Sequence, residues 1–244
     1  MLDHVTVRAA DQEASRRFYN VVLPVLGFEP VDADERFCEW GDYSVAQADD
    51  GQPVTRHLHV AFDGGSREKV DAFWQAGVDA GYPSDGEPGL RPQYHPDYYG
   101  GFLLDPDGNS VEACTGFREP GPGGMIDHLW IGVRDLVPAR RFWETVAGVL
   151  GLRIGGVRET RFHVAAGNRS FALVADGRPP TENVHLAFPV PGDEVVAEFH
   201  RIATAAGYED NGGPGERPEY HPGYVGAFVL DPDGNNVEAV NHNR

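Results

Sequence analysis

The sequence has little cysteine, few basic residues and no long hydrophobic run, and each shortage excludes a class of protein. Only two cysteines, Cys38 and Cys114, occur in 244 residues, which excludes a disulfide scaffold and favours a cytoplasmic location. Lys and Arg total 20 against 38 Asp and Glu, giving a formal net charge of −18. We therefore expect no nucleic-acid partner, because phosphate binding requires a basic patch.

No apolar stretch approaches the ~20 residues that a membrane-spanning helix needs, so we also expect no membrane partner. The first residues, MLDHVTVRAADQ, have neither the basic nor the apolar region of a secretory signal. Hydrophobic residues make up 41% and charged residues 24% of the chain, which is typical of a globular protein.

The chain contains an internal duplication. Residues 91–113, RPQYHPDYYGGFLLDPDGNSVEA, recur as residues 217–239, RPEYHPGYVGAFVLDPDGNNVEA, and 17 of these 23 positions are identical. Such a repeat indicates two copies of one structural unit. Proline and glycine are dense at residues 119–124, which is typical of a linker. We predict one domain at residues 1–118, a linker at 119–124 and a second domain at 125–244.

Each copy divides again into two βαβββ units of roughly 60 residues. In the first copy, DHVTVRA alternates like a strand, and a helical pattern follows Asp11 and stops near Gly27. A second strand-helix pattern follows, with HLHVAF as the strand and Ser66 as the helix N-cap. The Pro-Asp-Gly-Asn turn between two apolar runs predicts a closing β-hairpin. The fold class is therefore α+β, with helices packed outside curved, mostly antiparallel sheets.

Two histidines and one glutamate recur at equivalent strand positions in the two copies. In isolation, a histidine or glutamate on a strand is most often a surface or packing residue. Here six positions agree pairwise across the duplication, which favours a metal site. Two imidazoles and a carboxylate suit Fe, Mn, Ni, Co or Zn and leave coordination positions open for substrate. The predicted ligands are His4, His59 and Glu112 in the first copy and His128, His185 and Glu238 in the second.

These residues resemble the vicinal oxygen chelate superfamily, which includes glyoxalase I, extradiol dioxygenases and bleomycin-resistance proteins. The resemblance covers nearly the whole chain, once per copy, and DPDGNxVE is its most specific element. It implies tandem glyoxalase-like domains, each forming a cup around a divalent metal. It also implies a fourth ligand on the last strand of the first unit, where Gln47 falls. The second copy has Leu173 there, which cannot coordinate, so either the second site has at most three protein ligands or Gln47 is only a polar strand residue.

The resemblance further bears on the reaction. Extradiol dioxygenases usually carry a tyrosine ten residues before the ligand glutamate, where this chain has Phe102 and Phe228. A glyoxalase-type lyase or isomerase, with Glu112, Glu238 or a nearby histidine as the base, is therefore preferred over a non-haem Fe(II) dioxygenase. A drug-binding or metabolite-binding resistance protein without turnover is the third alternative. The duplicated Tyr-His-Pro-x-Tyr segment could line the substrate pocket or only pack on the sheet; its residues are Tyr94, His95, Tyr98, Tyr220, His221 and Tyr224.

Two groupings of the ligands are compatible with the sequence. Each copy could form its own site from His4, His59 and Glu112 or from the equivalent residues. Alternatively, His4 could join His185 and Glu238 while His128 joins the other pair, as when two subunits of a dimer have been fused. Either a monomer or a homodimer acting on a small molecule is expected.

Overall fold

The computed structural model describes residues 1–31, 36–116, 124–167 and 169–243. The predicted linker at 119–124 lies outside these ranges except for its last residue, so the predicted domain boundaries stay a prediction. The described residues contain four helices: α1 (Gln12–Leu26), α2 (Arg67–Asp79), α3 (Leu136–Val146) and α4 (Asp193–Ala205). None of the helices in these ranges is both long and apolar enough to cross a membrane.

Local sequence signals explain where the helices begin and end. The Asp11 side chain accepts a hydrogen bond from the Ala14 backbone N–H at the start of α1, which satisfies one of the unpaired donors of the first turn. Gly27 ends α1 with φ of 98°, a left-handed conformation that residues with a Cβ rarely adopt. Ser66 caps α2 as predicted, by accepting from the Lys69 backbone N–H.

The chain forms two compact units whose boundaries fall inside strands. Unit 1 consists of Met1–Val5 and Trp130–Arg244, and unit 2 consists of Thr6–Leu129. The first boundary lies within β1 (His4–Ala9) and the second within β8 (Ile126–Gly132). Each unit therefore takes the beginning of one strand from one sequence copy and most of its residues from the other copy.

In unit 2, the strand order is β5-β6-β7-β4, followed by the beginning of β8. The strands β6 and β7 form the predicted antiparallel hairpin, while β4 and β7 run parallel. Helix α2 packs against β5, β6 and β7. The rest of β1 pairs with β3, which pairs antiparallel with β2. The unit 2 strands are β2 (Phe37–Trp40), β3 (Tyr43–Gln47), β4 (His59–Asp63), β5 (Ser84–Leu90), β6 (Tyr99–Leu104) and β7 (Ser110–Thr115).

Unit 1 repeats this arrangement with the order β13-β14-β15-β12 and the beginning of β1 beside β12. Strands β12 and β15 are parallel, and β14 and β15 form the second DPDG hairpin. The remainder of β8 runs parallel to β11, which continues through β10 to β9. The unit 1 strands are β9 (Arg153–Gly155), β10 (Arg161–Ala166), β11 (Arg169–Val174), β12 (His185–Pro189), β13 (Asp210–Glu216), β14 (Val225–Leu230) and β15 (Asn236–Asn241). The α+β class and the tandem repetition of one arrangement of helices and strands are confirmed.

Aromatic side chains fill the interior of each unit. In unit 2, Tyr19, Trp40 and Tyr43 are at most 1% exposed, and the two tyrosine hydroxyls lie 2.6 Å apart. The Tyr19 hydroxyl also donates to Asp105 in the DPDG turn. In unit 1, Trp143 and Phe171 pack edge to face. Burial of these rings stabilises the sheets and fixes the helices against them.

Candidate metal centres

The DPDGN turn sets the position of the ligand glutamate relative to the ligand histidine. Asp105 Oδ1 accepts from the Asp107 and Asn109 backbone N–H groups, so the turn is closed by its own side chain. Asn109 Oδ1 accepts from the backbone N–H of Leu58, the residue before His59. This bond fixes the parallel register in which His59 pairs with Ser110. The same turn in unit 1 ties Asn235 to Val184.

In unit 1, His4, His185 and Glu238 converge. The Nε2 atoms of His4 and His185 lie 3.2 Å apart, and Glu238 Oε2 lies 3.0 Å from His185 Nε2 and 3.8 Å from His4 Nε2. One ligand atom from each residue lies within 4.8 Å of the others. We call this group cluster 1.

In unit 2, His59, Glu112 and His128 form the equivalent cluster 2. Glu112 Oε2 lies 3.1 Å from His59 Nε2 and 3.7 Å from His128 Nε2, and the ligand atoms again lie within 4.8 Å of one another. All six predicted ligands are thus brought together in two groups of three. Of the two groupings left open by the sequence, the structure has the crossed one, in which each opening-strand histidine meets the histidine and glutamate of the other copy.

The histidines of the opening strands are oriented by the aspartate that precedes each of them. His4 Nδ1 lies 2.8 Å from Asp3 Oδ2, and His128 Nδ1 lies 2.7 Å from Asp127 Oδ1. Because a carboxylate accepts, Nδ1 carries the proton and the Nε2 lone pair faces the cluster. An Asp-His pair of this kind is common around metal-binding histidines.

The other two histidines have partners at Nδ1 on the neighbouring strand. His59 Nδ1 donates to Ser110 Oγ at 3.1 Å, and Ser110 donates onward to Asp85. His185 Nδ1 lies 2.8 Å from the amide of Asn236, whose buried Oδ1 has no partner among the described residues. If the Asn236 amide is rotated by half a turn, its oxygen and nitrogen exchange places, and Oδ1 then accepts a hydrogen bond from the Nδ1–H group of His185. When each Nδ1 carries the proton and the glutamates are ionised, the Nε2 lone pairs and the carboxylate oxygens face one another, which is the arrangement that a divalent cation fits.

The glutamate of each cluster is buried and held by a tyrosine. Glu112 and Glu238 are 2% and 1% exposed. The Tyr98 hydroxyl donates to Glu112 Oε1 at 2.8 Å, and the Tyr224 hydroxyl donates to Glu238 Oε1 at 2.7 Å. Burial raises the pKa of Glu238 to about 7, although His4 and the Tyr224 hydrogen bond oppose that shift. A cation in the cluster would supply the compensation that a buried carboxylate otherwise lacks.

We expect Tyr98→Phe and Tyr224→Phe each to weaken metal binding at one cluster by about 10- to 100-fold, the usual effect of losing a hydrogen-bond partner of a metal ligand. The phenyl ring keeps the packing while Oε1 loses its donor. The dissociation constant of each site, measured by competition with a chelator, checks this expectation. Phe102→Tyr serves as a control that alters a ring without changing this hydrogen bond; equal affinities in wild type and the Tyr→Phe variants would contradict it.

The predicted fourth ligand, Gln47, makes hydrogen bonds to the backbone around it. Its Nε2 donates to the carbonyls of Ala9 and Ala10, and its Oε1 accepts from the Gln12 backbone N–H. Since a strand rises about 3.3 Å per residue, Ala9 lies at the opposite end of β1 from His4. These contacts connect Gln47 to the segment where β1 leads into α1, and its role as a ligand stays a prediction.

The two tyrosines of each duplicated Tyr-His-Pro-x-Tyr segment have different surroundings. Tyr98 and Tyr224 contact the glutamates, whereas Tyr94 and Tyr220 are 49% and 44% exposed and pack edge to face on their buried neighbours. The pattern placed all of these residues near the site, but did not identify which tyrosine holds the carboxylate.

His95 and His221, the histidines of the duplicated Tyr-His-Pro-x-Tyr segments, have different surroundings. His95 Nδ1 accepts from the Asp97 backbone N–H. His221 Nε2 lies 2.8 Å from His242 Nδ1, and His242 Nε2 lies 2.9 Å from Asp3 Oδ1. Hydrogen bonds thus connect His221 through His242 and Asp3 to cluster 1. The equivalent of His242 in the first copy is Gly116, so the surroundings of the two clusters differ.

Cys114 lies next to cluster 2. Its Sγ, an Asp127 carboxylate oxygen and a His128 ring nitrogen form a further group within 4.8 Å of one another. Burial raises the pKa of the Cys114 thiol well above its ordinary value, which disfavours the thiolate that coordinates metals. Since Val240 occupies the equivalent position in the second copy, packing remains the better interpretation of Cys114.

Sequence reasoning missed the residues that orient the ligands. Asp3 and Asp127 were visible as repeated Asp-His pairs, and that repetition was a usable signal. Ser110 and Asn236 differ between the copies, and their role follows only from the parallel pairing of β4 with β7 and β12 with β15.

Comparisons with known proteins agree with this geometry. A family profile described as "Glyoxalase/Bleomycin resistance protein/Dioxygenase superfamily" matches residues 1–113 and 125–239. No curated protein sequence matches the chain. Among solved structures, glyoxalase I from Zea mays is 17% identical with a TM-score of 0.68, covering 99% of this chain and 92% of that one. A putative dioxygenase from Bacillus subtilis is 14% identical with a TM-score of 0.62, covering 100% of this chain and 85% of that one. At these identities, the structural matches show a shared fold.

Proposed function

We propose that this chain, which belongs to the glyoxalase/bleomycin resistance protein/dioxygenase superfamily, is a divalent-metal-dependent enzyme that acts on a small molecule. The observation that carries the proposal is the convergence of two imidazoles and one buried carboxylate in each of two clusters. The proposed ligands are His4, His185 and Glu238 for one ion and His59, Glu112 and His128 for the other. Fe, Mn, Ni, Co and Zn all suit such a donor set.

When bound, such an ion would hold two adjacent oxygens of a substrate and stabilise the enediolate left by removal of a carbon-bound proton. The chain's own residues then orient the donors and handle the proton. Asp3 and Asp127 hold the Nε2 lone pairs of His4 and His128 toward the site. Glu238 Oε2 is the candidate proton acceptor in cluster 1, and Glu112 Oε2 is its equivalent in cluster 2. This chemistry would make the protein a lyase or an isomerase of the glyoxalase type.

The test is metal-dependent turnover of the hemithioacetal of methylglyoxal and of small 2-hydroxy ketones, with exchange of the carbon-bound proton in D2O as a second readout. We expect activity in the metal-loaded chain and loss of both readouts in the double variant His59→Ala/His185→Ala. Full activity retained in that variant would contradict the proposal. Phe102→Leu, which changes a neighbouring ring but no ligand, controls for general disruption of the sheet.

A non-haem Fe(II) dioxygenase is the second candidate, because two histidines and one carboxylate are the ligand set that such oxygenases use. Oxygen consumption with catechols by the Fe(II)-loaded chain would favour it over proton-transfer chemistry. The proposed location is the cytoplasm, a reducing compartment that suits two buried cysteines, Cys38 and Cys114, in their thiol form. A protein that binds a drug tightly without metal would instead be a sequestering protein.

Metal binding at cluster 1 should weaken as the pH falls through about 7. The pKa of Glu238 is raised to about 7, and coordination requires the ionised carboxylate. Below that pH, competition by this proton alone weakens binding about tenfold per pH unit. In the metal-free chain, the raised pKa has the matching effect on folding: its contribution to stability is present at low pH and is lost as the pH rises through about 7.

The measurement is the number of protons released per ion bound, obtained by calorimetry in buffers of different ionisation enthalpy. His59→Ala isolates cluster 1 for this purpose. We expect Glu238 to contribute about one more released proton at pH 6 than at pH 8. Tyr224→Phe keeps all three ligands but removes a hydrogen bond that lowers the pKa of Glu238, so it should move this proton release to higher pH. An identical dependence of the proton count on pH with and without Tyr224→Phe would contradict the assignment.

A further inference from the structure

Beyond each cluster, one arginine lies over the ring of a phenylalanine that neighbours a candidate ligand histidine. Arg91 follows β5, and its guanidinium carbon lies 5.4 Å from the centre of the Phe102 ring. That ring lies 6.1 Å from the His59 ring. A single phenyl ring therefore separates the guanidinium of Arg91 from a proposed metal ligand.

Strand register places these groups on one face of the sheet. Gly86, Phe102 and Glu112 are directly paired across β5, β6 and β7, and directly paired residues point to the same face. A Cβ built on Gly86 would lie 3.0 Å from the Phe102 ring and 3.7 Å from Arg91 Nη2. The guanidinium, the ring and the ligand carboxylate therefore follow one another along the face that carries cluster 2.

Unit 1 repeats the arrangement. Arg217 lies 5.5 Å from the centre of the Phe228 ring, which lies 6.1 Å from the His185 ring. Gly212 and Phe228 are paired, and Phe228 is paired with Glu238. The same arrangement of arginine, phenylalanine ring and glutamate therefore occurs in both units and does not depend on the conformation of a single loop.

Glycines make room for the arginines. A Cβ on Gly89 would lie 2.9 Å from Arg91 Nη1, and a Cβ on Gly215 would lie 2.9 Å from Arg217 Nη1. Such close contact would force the guanidinium to move. The glycine-rich composition of β5 and β13, which gave no strand signal in the sequence, thus has a specific structural consequence.

Each guanidinium uses only part of its hydrogen-bonding capacity on the protein. Arg91 Nη2 donates to the Glu87 carbonyl at 2.7 Å, and Nη1 donates to the Leu90 carbonyl at 3.3 Å. Arg217 makes the same two kinds of bond to Gly213 and Glu216. Since a guanidinium has five N–H donors, three on each arginine have no protein acceptor within the described ranges. Both side chains are only half-buried, so a ligand can reach these donors.

We propose that Arg91 and Arg217 each bind the carboxylate at the far end of a substrate whose two adjacent oxygens lie at the neighbouring cluster. This inference rests on the proposed function and adds a substrate class to it: small anionic molecules with a vicinal oxygen pair at one end and a carboxylate at the other. The planar fork of arginine matches a carboxylate in two parallel hydrogen bonds. A single guanidinium also matches one negative charge, and a chain of net charge −18 disfavours more highly charged ligands.

The test compares 2-oxoadipate with 2-oxohexanoate, which have the same length and the same 2-oxo acid group but end in a carboxylate and a methyl group. Binding to the metal-loaded chain is measured by calorimetry, and metal content is measured on the same samples. We expect 2-oxoadipate to bind about tenfold more tightly at two sites per chain. Arg91→Met and Arg217→Met should each remove the preference at one site, and the double variant should remove both.

Arg91→Lys is the matched control, since it keeps the charge and the apolar stem but loses the planar fork; an intermediate preference is expected. Metal content should stay the same in all these variants, because neither arginine contacts a proposed ligand. Equal affinities for the two acids with metal bound, or a preference that survives in the double Met variant, would overturn the carboxylate site and leave the metal proposal standing. A chain that binds no ion would overturn both.

Discussion

Removing His4 and His185 together should leave one metal ion per chain, whereas removing His4 and His59 together should leave none. The first pair belongs to cluster 1 only, so cluster 2 keeps all three ligands. The second pair takes one histidine from each cluster and reduces both to two ligands. Metal content after loading and desalting measures the result directly for His4→Ala/His185→Ala and His4→Ala/His59→Ala.

The grouping of ligands within each copy predicts the reverse outcome. There, His4 and His59 would share one ion, so their joint removal would spare the other site. A reversed pattern would therefore show that the crossed grouping is wrong, even if two ions bind to the wild-type chain. The mirrored pairs, His128 with His59 and His128 with His185, repeat the test from the other cluster.

Adding a single methyl group at Gly226 should abolish metal binding at cluster 1 without changing any ligand. A Cβ there would lie 2.5 Å from Glu238 Oε1 and 3.2 Å from the Tyr224 ring. Because the carboxylate is buried, it can move only by leaving its position between the histidines and the tyrosine. We expect affinity at this site to fall at least about 100-fold and the free energy of unfolding to fall by about 1–3 kcal/mol from overpacking. Gly100→Ala should do the same to cluster 2, where the added Cβ would meet Glu112 Oε1.

The chain supplies a matched control for these variants. Gly101, next to Gly100, is replaced by Ala227 in the second copy, so Gly101→Ala introduces a residue that the same strand position already accommodates. We expect Gly101→Ala to keep two ions per chain. Two ions retained in Gly100→Ala or Gly226→Ala would contradict the position assigned to the glutamates.

Local rules predicted the parts of the structure that depend on neighbouring residues. The cap at Asp11, the stop at Gly27 and the DPDG hairpins all follow from side-chain hydrogen bonds or backbone conformation within a few residues. The six candidate ligands were selected because they recur in the duplication. Strands β5 and β13 were not predicted, because their glycines and prolines carry no alternation of apolar and polar residues.

The grouping of the ligands could not be predicted in the same way. It depends on which strand lies next to which: the beginning of β1 lies beside β12, and the beginning of β8 lies beside β4. No periodicity within one strand encodes that choice. Family resemblance alone also did not predict the contacts of Gln47. It occupies the position that the resemblance implies for a ligand, but its amide hydrogen-bonds to the backbone around it.

The most direct test of the central claim is the metal content of the wild-type chain, purified without added metal and then reloaded separately with Fe(II), Mn(II), Ni(II) and Zn(II). We expect close to two ions per chain with at least one of these metals, because each cluster has a complete set of two imidazoles and one buried carboxylate. Absence of bound ion under every loading condition would contradict it and would favour a sequestering protein over an enzyme.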